Sequence, residues 1–176
     1  LADDGTLSSP APLNFADGFS AGAALLAELP GATETGLARP DSLEASLEAD
    51  SPTVLLNAET GERVLHFAEL DRNLSGAETP SFMIRPAVRL KDATRYIVAI
   101  RGVQGADGAA LAASPGFAAL RDRMPFDADA SVGERRALYA DIFDRLGSAG
   151  VAREDLQLAW DFTTASRESN TRWLVH

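Results

Sequence analysis

The chain has 176 residues, 45% of them hydrophobic, with a formal net charge of −10 and no cysteine. That is enough apolar content for one domain with a core of ordinary size and no disulfide or metal staple, and the lack of cysteine rules out thiolate zinc sites and cysteine nucleophiles. The charge disfavours nucleic acid and anionic lipid as partners, and no segment supplies the roughly 20 apolar residues of a membrane-spanning helix.

The charge is concentrated at one end. Residues 1–60 hold ten acids and a single base, Arg39. Such a stretch reads as a solubilising face, with a cation-binding or protein-docking face as the sharper alternative. Residues 1–19 read as an irregular lead-in, since Gly5, Pro10, Pro12 and Gly18 interrupt any period. Leu25, Leu26 and Leu29 predict a short helix over 20–29, ended by Pro30-Gly31. A loop over 31–40 follows. Asp41 with Glu44 three positions on predicts a second short helix over 42–49.

Strand signals then take over. Thr53–Leu56 and Arg63–Phe67 are β-rich runs joined by residues 57–61, with Gly61 where a hairpin needs positive φ. Ser81–Arg85 is a further short run closed by Pro86, and Arg95–Arg101 has the β-branched and aromatic content of a central strand. Gly105–Gly108 predicts a tight turn. From residue 114 the period changes: Pro115 opens a helix to Arg123, and Ser131 with Glu134 forms a capping-box pattern ahead of a longer helix. Leu138, Tyr139, Ile142, Phe143 and Leu146 make that helix's apolar stripe, Asp141 and Arg145 stand four apart, and Gly147 and Gly150 end it. Residues 157–163 alternate Leu158, Trp160 and Phe162 with polar side chains, a strand pattern, and 165–176 predict an exit helix. The fold class expected is mainly β with α, a two-layer β-sandwich carrying helices, in one domain over 1–176: a lead-in over 1–50, sandwich strands in 51–111 and 156–164, and a helical insertion over 112–155.

Several patterns raise chemistry. Gly18-Phe-Ser20-Ala-Gly22 matches the nucleophile elbow of serine hydrolases, which requires a buried strand, a strained turn and a helix. The residues before it include Asn14 and Asp17 and lack β-branched side chains, so the competing reading is a glycine turn with Ser20 as a helix N-cap. His66 and His176 are the only histidines, which leaves His66 as the base for such a serine; alone beside Phe67 it reads as a structural histidine. Glu69 and Asp71 do not make it a metal set. Asp127, Asp129 and Ser131 begin like a calcium loop, but Val132 and Leu138 stand where the loop needs Gly and Glu, and the acids suit a helix N-terminus instead. Neither glycine-rich phosphate-binding pattern occurs.

Residues 84–100, the Gly105–Gly108 turn and Ala159-Trp-Asp-Phe-Thr-Thr164 together resemble the bacterial Ig-like domain of S-layer and other envelope proteins, in which a Pro-to-Tyr stretch leads into a long strand and a terminal strand ends in Phe-x-Thr. The likeness covers about a quarter of the chain, and the insertion at 112–155 departs from it. Residues 17–20, 49–56 and 66–71 add a similarity to the N-terminal region of uncharacterised secreted bacterial proteins, some of them lipase- or hydrolase-like. The start at Leu1 and the apolar stretch Trp173–His176 add the expectation of a piece of a longer protein. The resemblance, the strand pattern and the lack of an assembled catalytic set together give the expectation of a non-catalytic, extracellular or envelope module with no cofactor or metal, supporting a downstream domain of the same polypeptide or binding a protein partner through the 131–149 helix or the acidic third; charge and hydropathy add the expectation of no nucleic acid and no membrane insertion. The alternative is an esterase or lipase fragment using Ser20 with His66. A carbohydrate-binding module would need an exposed aromatic platform, and aromatic residues are only 7% of the chain.

Overall fold

Arg95–Arg101 alternates Tyr96, Val98 and Ile100 with Ile97 and Ala99, so both faces of the strand it forms are apolar, and six of its seven residues are buried. Such a strand is stable only in the middle of a sheet that is covered on both sides. In the computed structural model, which describes residues 16–71 and 79–171, it is β5, the centre of an antiparallel sheet of order β2-β5-β6. Its neighbours are β2 (Thr53–Asn57), buried throughout, and β6 (Leu156–Thr163). A second antiparallel sheet of order β1-β4-β3 is made by β1 (Leu25–Glu28), β4 (Ser81–Pro86) and β3 (His66–Leu70).

Two clusters fill the two faces of β5. Leu55, Tyr96, Val98, Ile100 and Phe162 meet Leu25, Ala68, Phe82 and Ile84 of the second sheet, so one core draws on all six strands. On the opposite face Val54, Leu56, Ile97, Ala99 and Ala159 meet helices α1 (Pro115–Arg121) and α3 (Arg136–Ser148) through Phe117, Ile142, Phe143 and Leu146. A short helix α2 (Ser131–Glu134) precedes α3, and α4 (Arg167–Thr171) follows β6. The molecule is thus a mixed α/β protein with two three-stranded antiparallel sheets and a few helices, four of the strands lying where the sequence pattern predicts them.

The helix expected over 20–29 is instead β1. Burial there alternates, with Leu25 and Leu29 buried and Leu26 and Glu28 exposed, and Leu25 to Glu28 pair with Ile84 to Ser81. The β2–β3 hairpin forms only in part. Gly61 turns the chain at φ 73°, but the pairing stops at the Leu56–Arg63 bridge and β3 leaves for the other sheet. The helix over 42–49 is a 3-10 turn, Leu43–Leu47, with no side-chain cap on Ser42. The capping box at Ser131 does not form either; Asp129 accepts the Ser131 N–H at 2.9 Å, and α2 breaks before α3 begins. Leu138 of the predicted stripe is exposed, whereas Ile142, Phe143 and Leu146 are buried.

Polar side chains join the layers. Arg95 holds Asp161 on β6 at 2.7 Å and Asp141 on α3 at 2.5 Å, and Arg145 reinforces Asp141 at 3.0 Å and donates to the Ala58 carbonyl. The outer edge of β3 is closed by Ser46 Oγ, the Ala38 carbonyl and Glu34 Oε1, which accept from His66, Ala68 and Leu70 N–H, so this edge is withheld from foreign strands. At the start of β6 a β-bulge makes Gln157 the extra residue between the Ile100–Leu158 and Arg101–Leu156 pairs. Its buried amide accepts from Val103 N–H at 2.8 Å and donates to the carbonyls of Val103 at 2.9 Å and Leu111 at 2.6 Å, fixing the connection out of β5. Replacing Gln157 with Leu orphans a buried N–H, and we expect a loss of about 1–3 kcal/mol in urea denaturation. Gln157→Glu sets a carboxylate against two carbonyl oxygens, so its loss at pH 7 exceeds that of the leucine variant and shrinks as the pH is lowered towards 4.

Candidate functional site

Ser20 and His66 come first, as the one nucleophile–base pair offered by the sequence. Gly18 precedes a short bridging segment in which Phe19 pairs in parallel with Thr164, its N–H donating to Thr163 O at 2.9 Å and its carbonyl accepting from Ala165 N–H at 2.8 Å. Ser20 is exposed, accepts a long hydrogen bond of 3.4 Å from Gly22 N–H, and leads into a turn and then β1. No helix follows, so neither the strand–turn–helix of an elbow nor the N-cap predicted for Ser20 is present. Gly18 has a different reason to be glycine: a Cβ there would lie 2.6 Å from the Ala165 nitrogen and the Thr164 carbonyl carbon, whereas one on Gly22 would meet nothing within 4 Å.

His66 is fully buried on β3. Its Nδ1 lies 2.8 Å from Val64 O and its Nε2 2.9 Å from Thr53 Oγ1. A carbonyl can only accept, so Nδ1 carries the proton and Nε2 accepts from the threonine hydroxyl, a neutral ring with both nitrogens engaged. Burial, the largest influence, holds its pKa below the ordinary value, with the Arg63 charge adding to it. The ring therefore tethers β3 to β2, joining the two sheets, and shares no hydrogen bond with Ser20.

The remaining motif residues are equally local. Asp129 serves the turn into α2, its carboxyl held below the usual range by Ser131, and no group of three metal-ligating side chains occurs among the described residues. Trp160 packs at the margin of the inter-sheet core, and Phe19, though 64% exposed, stands edge-on to Phe162. The apolar stretch 173–176, His176 included, lies outside the described residues. Among the described residues no helix is long and apolar enough to cross a membrane.

Sequence reasoning missed the arginines. Arg63, Arg101, Arg121, Arg136, Arg145 and Arg153 all donate to backbone carbonyls. It also missed a left-handed residue. Helices α1 and α3 end alike, with Met124 N–H returning to Ala119 O at 3.0 Å and Val151 N–H to Leu146 O at 2.9 Å. In that ending the residue after the cap takes positive φ and is ordinarily glycine. Gly150 fills the place in α3 at φ 77°, but Arg123 fills it in α1 at φ 58°, at a cost of about 1–2 kcal/mol for a residue with a Cβ.

No protein-family model matches the chain, and neither a curated protein nor a solved structure is significantly similar to it.

Two outcomes follow from this geometry. Gly18→Ala forces apart two hydrogen-bonded backbone segments and is expected to cost about 1–3 kcal/mol, with Gly22→Ala close to neutral, both read by chemical denaturation. For His66 the folded pKa is depressed relative to the unfolded value near 6.5. Its contribution is therefore whole above about pH 6.5 and is lost as the pH falls through the folded pKa, with a slope approaching about 1.4 kcal/mol per pH unit. Denaturation at pH 7.5, 6.5 and 5.5 should show that slope in the parent and its disappearance in His66→Gln, which is also less stable at every pH.

Proposed function

We propose that the chain is a non-catalytic Ig-like module of a secreted or envelope protein, built to hold or present a neighbouring domain or partner. The observation that carries the non-catalytic half is the state of His66. The sole described histidine is buried and neutral, with both nitrogens committed to the fold, while Ser20 sits in an exposed turn with no helix behind it to stabilise an oxyanion.

The Ig-like half draws on topology. Ig-type sandwiches place strands A, B, E and D in one sheet and C, F and G in the other. With β1 taken as strand B, the order β1-β4-β3 reads B-E-D and β2-β5-β6 reads C-F-G. Tyr96, second residue of β5, accepts a hydrogen bond on its hydroxyl from Lys91 N–H at 2.9 Å, five residues upstream in the E–F connection, which is the arrangement of a tyrosine corner. In this reading α1 to α3 are an insertion between strands F and G that covers the outer face of the C-F-G sheet.

Incubation of the purified chain with a serine-reactive fluorophosphonate should leave it unlabelled by mass spectrometry under conditions that label a control serine esterase. Stoichiometric modification at Ser20 in the folded chain would end the non-catalytic reading.

A further inference from the structure

We propose that the cleft between the C-terminal end of α1 and the flank of α3 is a binding site for an oxyanion, a phosphate or carboxylate, carried on a small apolar body. The cleft has a volume of about 520 Å³; Arg123, Arg136 and Arg153 line it together with Leu120 and Phe143, and no acid does. In a chain of net charge −10, three guanidiniums gathered around an apolar floor are unexpected. None of the three has a carboxylate within 4 Å among the described residues, where Arg85, Arg89, Arg95, Arg121 and Arg145 each have one.

Part of this arrangement serves the fold. Arg136 donates to Ala119 O and Met124 O, and Arg153 donates to Leu120 O and Arg121 O, so both satisfy carbonyls at the end of α1. Arg153 also lies over the Phe143 ring, its Cζ 4.2 Å from the centroid, which fixes the plane of the guanidinium. These bonds leave Arg153 Nη1, Arg136 Nε and the entire Arg123 fork without an acceptor among the described residues.

Arg123 is the residue the fold does not account for. It makes no hydrogen bond or ion pair among the described residues and occupies the left-handed position that Gly150 fills in the same helix ending of α3. An arginine standing where glycine is structurally better points to a task for the side chain. Burial, and after it the charge of Arg123, pull the Arg153 guanidinium below its ordinary value, so these two cations feel one another. Two carboxylates outside the cleft lining act on Arg153 in the opposite sense: Asp122, which Arg121 holds bidentate at 2.8 and 2.9 Å, and Asp144, which forms no ion pair among the described residues. An oxyanion shared by the free donors relieves that repulsion and accepts charge-assisted hydrogen bonds, while the exposed apolar lining residues Pro125 and Ala140 receive the apolar body.

Calorimetric titration with phenyl phosphate, benzoate, inorganic phosphate and phenol at matched ionic strength tests the site. Phenyl phosphate or benzoate should bind, the tighter of the two naming the headgroup, with inorganic phosphate weaker and phenol silent. Arg123→Gly should weaken the bound arene anion at least tenfold while raising the Tm of the unliganded chain, because it removes the left-handed strain; Arg135→Ala, outside the cleft, should bind as the parent does. The opposite signs on affinity and stability separate a binding arginine from a structural one. No binding by either arene anion above the salt control, or equal affinity in Arg123→Gly, would overturn the site. Inorganic phosphate binding as tightly as phenyl phosphate would overturn the apolar-body half.

Discussion

The architecture depends on the burial of both faces of the β2-β5-β6 sheet. Because side chains alternate along a strand, a strand apolar at every position needs two separate covers. The second sheet provides one, through Phe82 and Ile84 against Val98 and Ile100, and the helical layer provides the other, through Phe143 and Ile142 against Ile97 and Ala99. The helices lie in the connection between β5 and β6, so the segment that leaves the central strand returns over its own sheet before pairing with it. The bulge at Gln157 makes this return workable, since it pins the exit of β5 to the entry of β6 with a fully used buried amide.

Long connections of this kind bury backbone carbonyls away from any strand or helix partner, and these must find donors. The chain uses arginine for the purpose. Arg101 reaches Ser51 O and Ala49 O ahead of β2, Arg121 reaches Leu156 O, and Arg145 ties Ala58 O to α3. A planar fork with five donors can satisfy two carbonyls from one stem, which an ammonium does less well. The sequence has one lysine, Lys91, among its sixteen Lys and Arg residues, and the structure gives that imbalance a physical use. At Arg101, the one buried arginine among the described residues, partial negative charge on carbonyls takes the place of a carboxylate.

What could be read in advance was whatever local pattern decides. The continuous apolar run of β5, the alternation of β6, Pro115 behind Ser114 at the start of α1 and the glycine turn at 105–108 each encode their conformation over a few residues, and all four stand where the sequence puts them. β1 could not be read this way. Leu25, Leu26 and Leu29 fit a helical face as well as a strand, and the choice is made by pairing with Ile84 and Met83, nearly sixty residues away. Ser131 and Ser20 fit capping patterns whose partners went elsewhere, to Asp129 and to a turn. The arginine cleft was invisible for a related reason: its residues come from the end of α1, from α3 and from the segment before β6, and their spacing forms no motif. The one local signal was Arg123 standing where a helix ending calls for glycine, which can be recognised only once the end of α1 is known.

Net charge is the quantity most easily read from a sequence and most easily overextended. A value of −10 governs long-range encounter with polyanions, because a nucleic acid samples the field of the whole molecule. At physiological ionic strength that field decays over about 8 Å, so a ligand the size of a phenyl phosphate inside a cleft responds to the groups lining it and little else. Ten of the acids lie in residues 1–60, whereas the cleft is built entirely from residues 120–153. A net charge that disfavours DNA, RNA and anionic lipid and the proposed small oxyanion site are therefore compatible statements about two length scales. The local one is set by three guanidiniums that the fold gathers and leaves without carboxylate partners among the described residues.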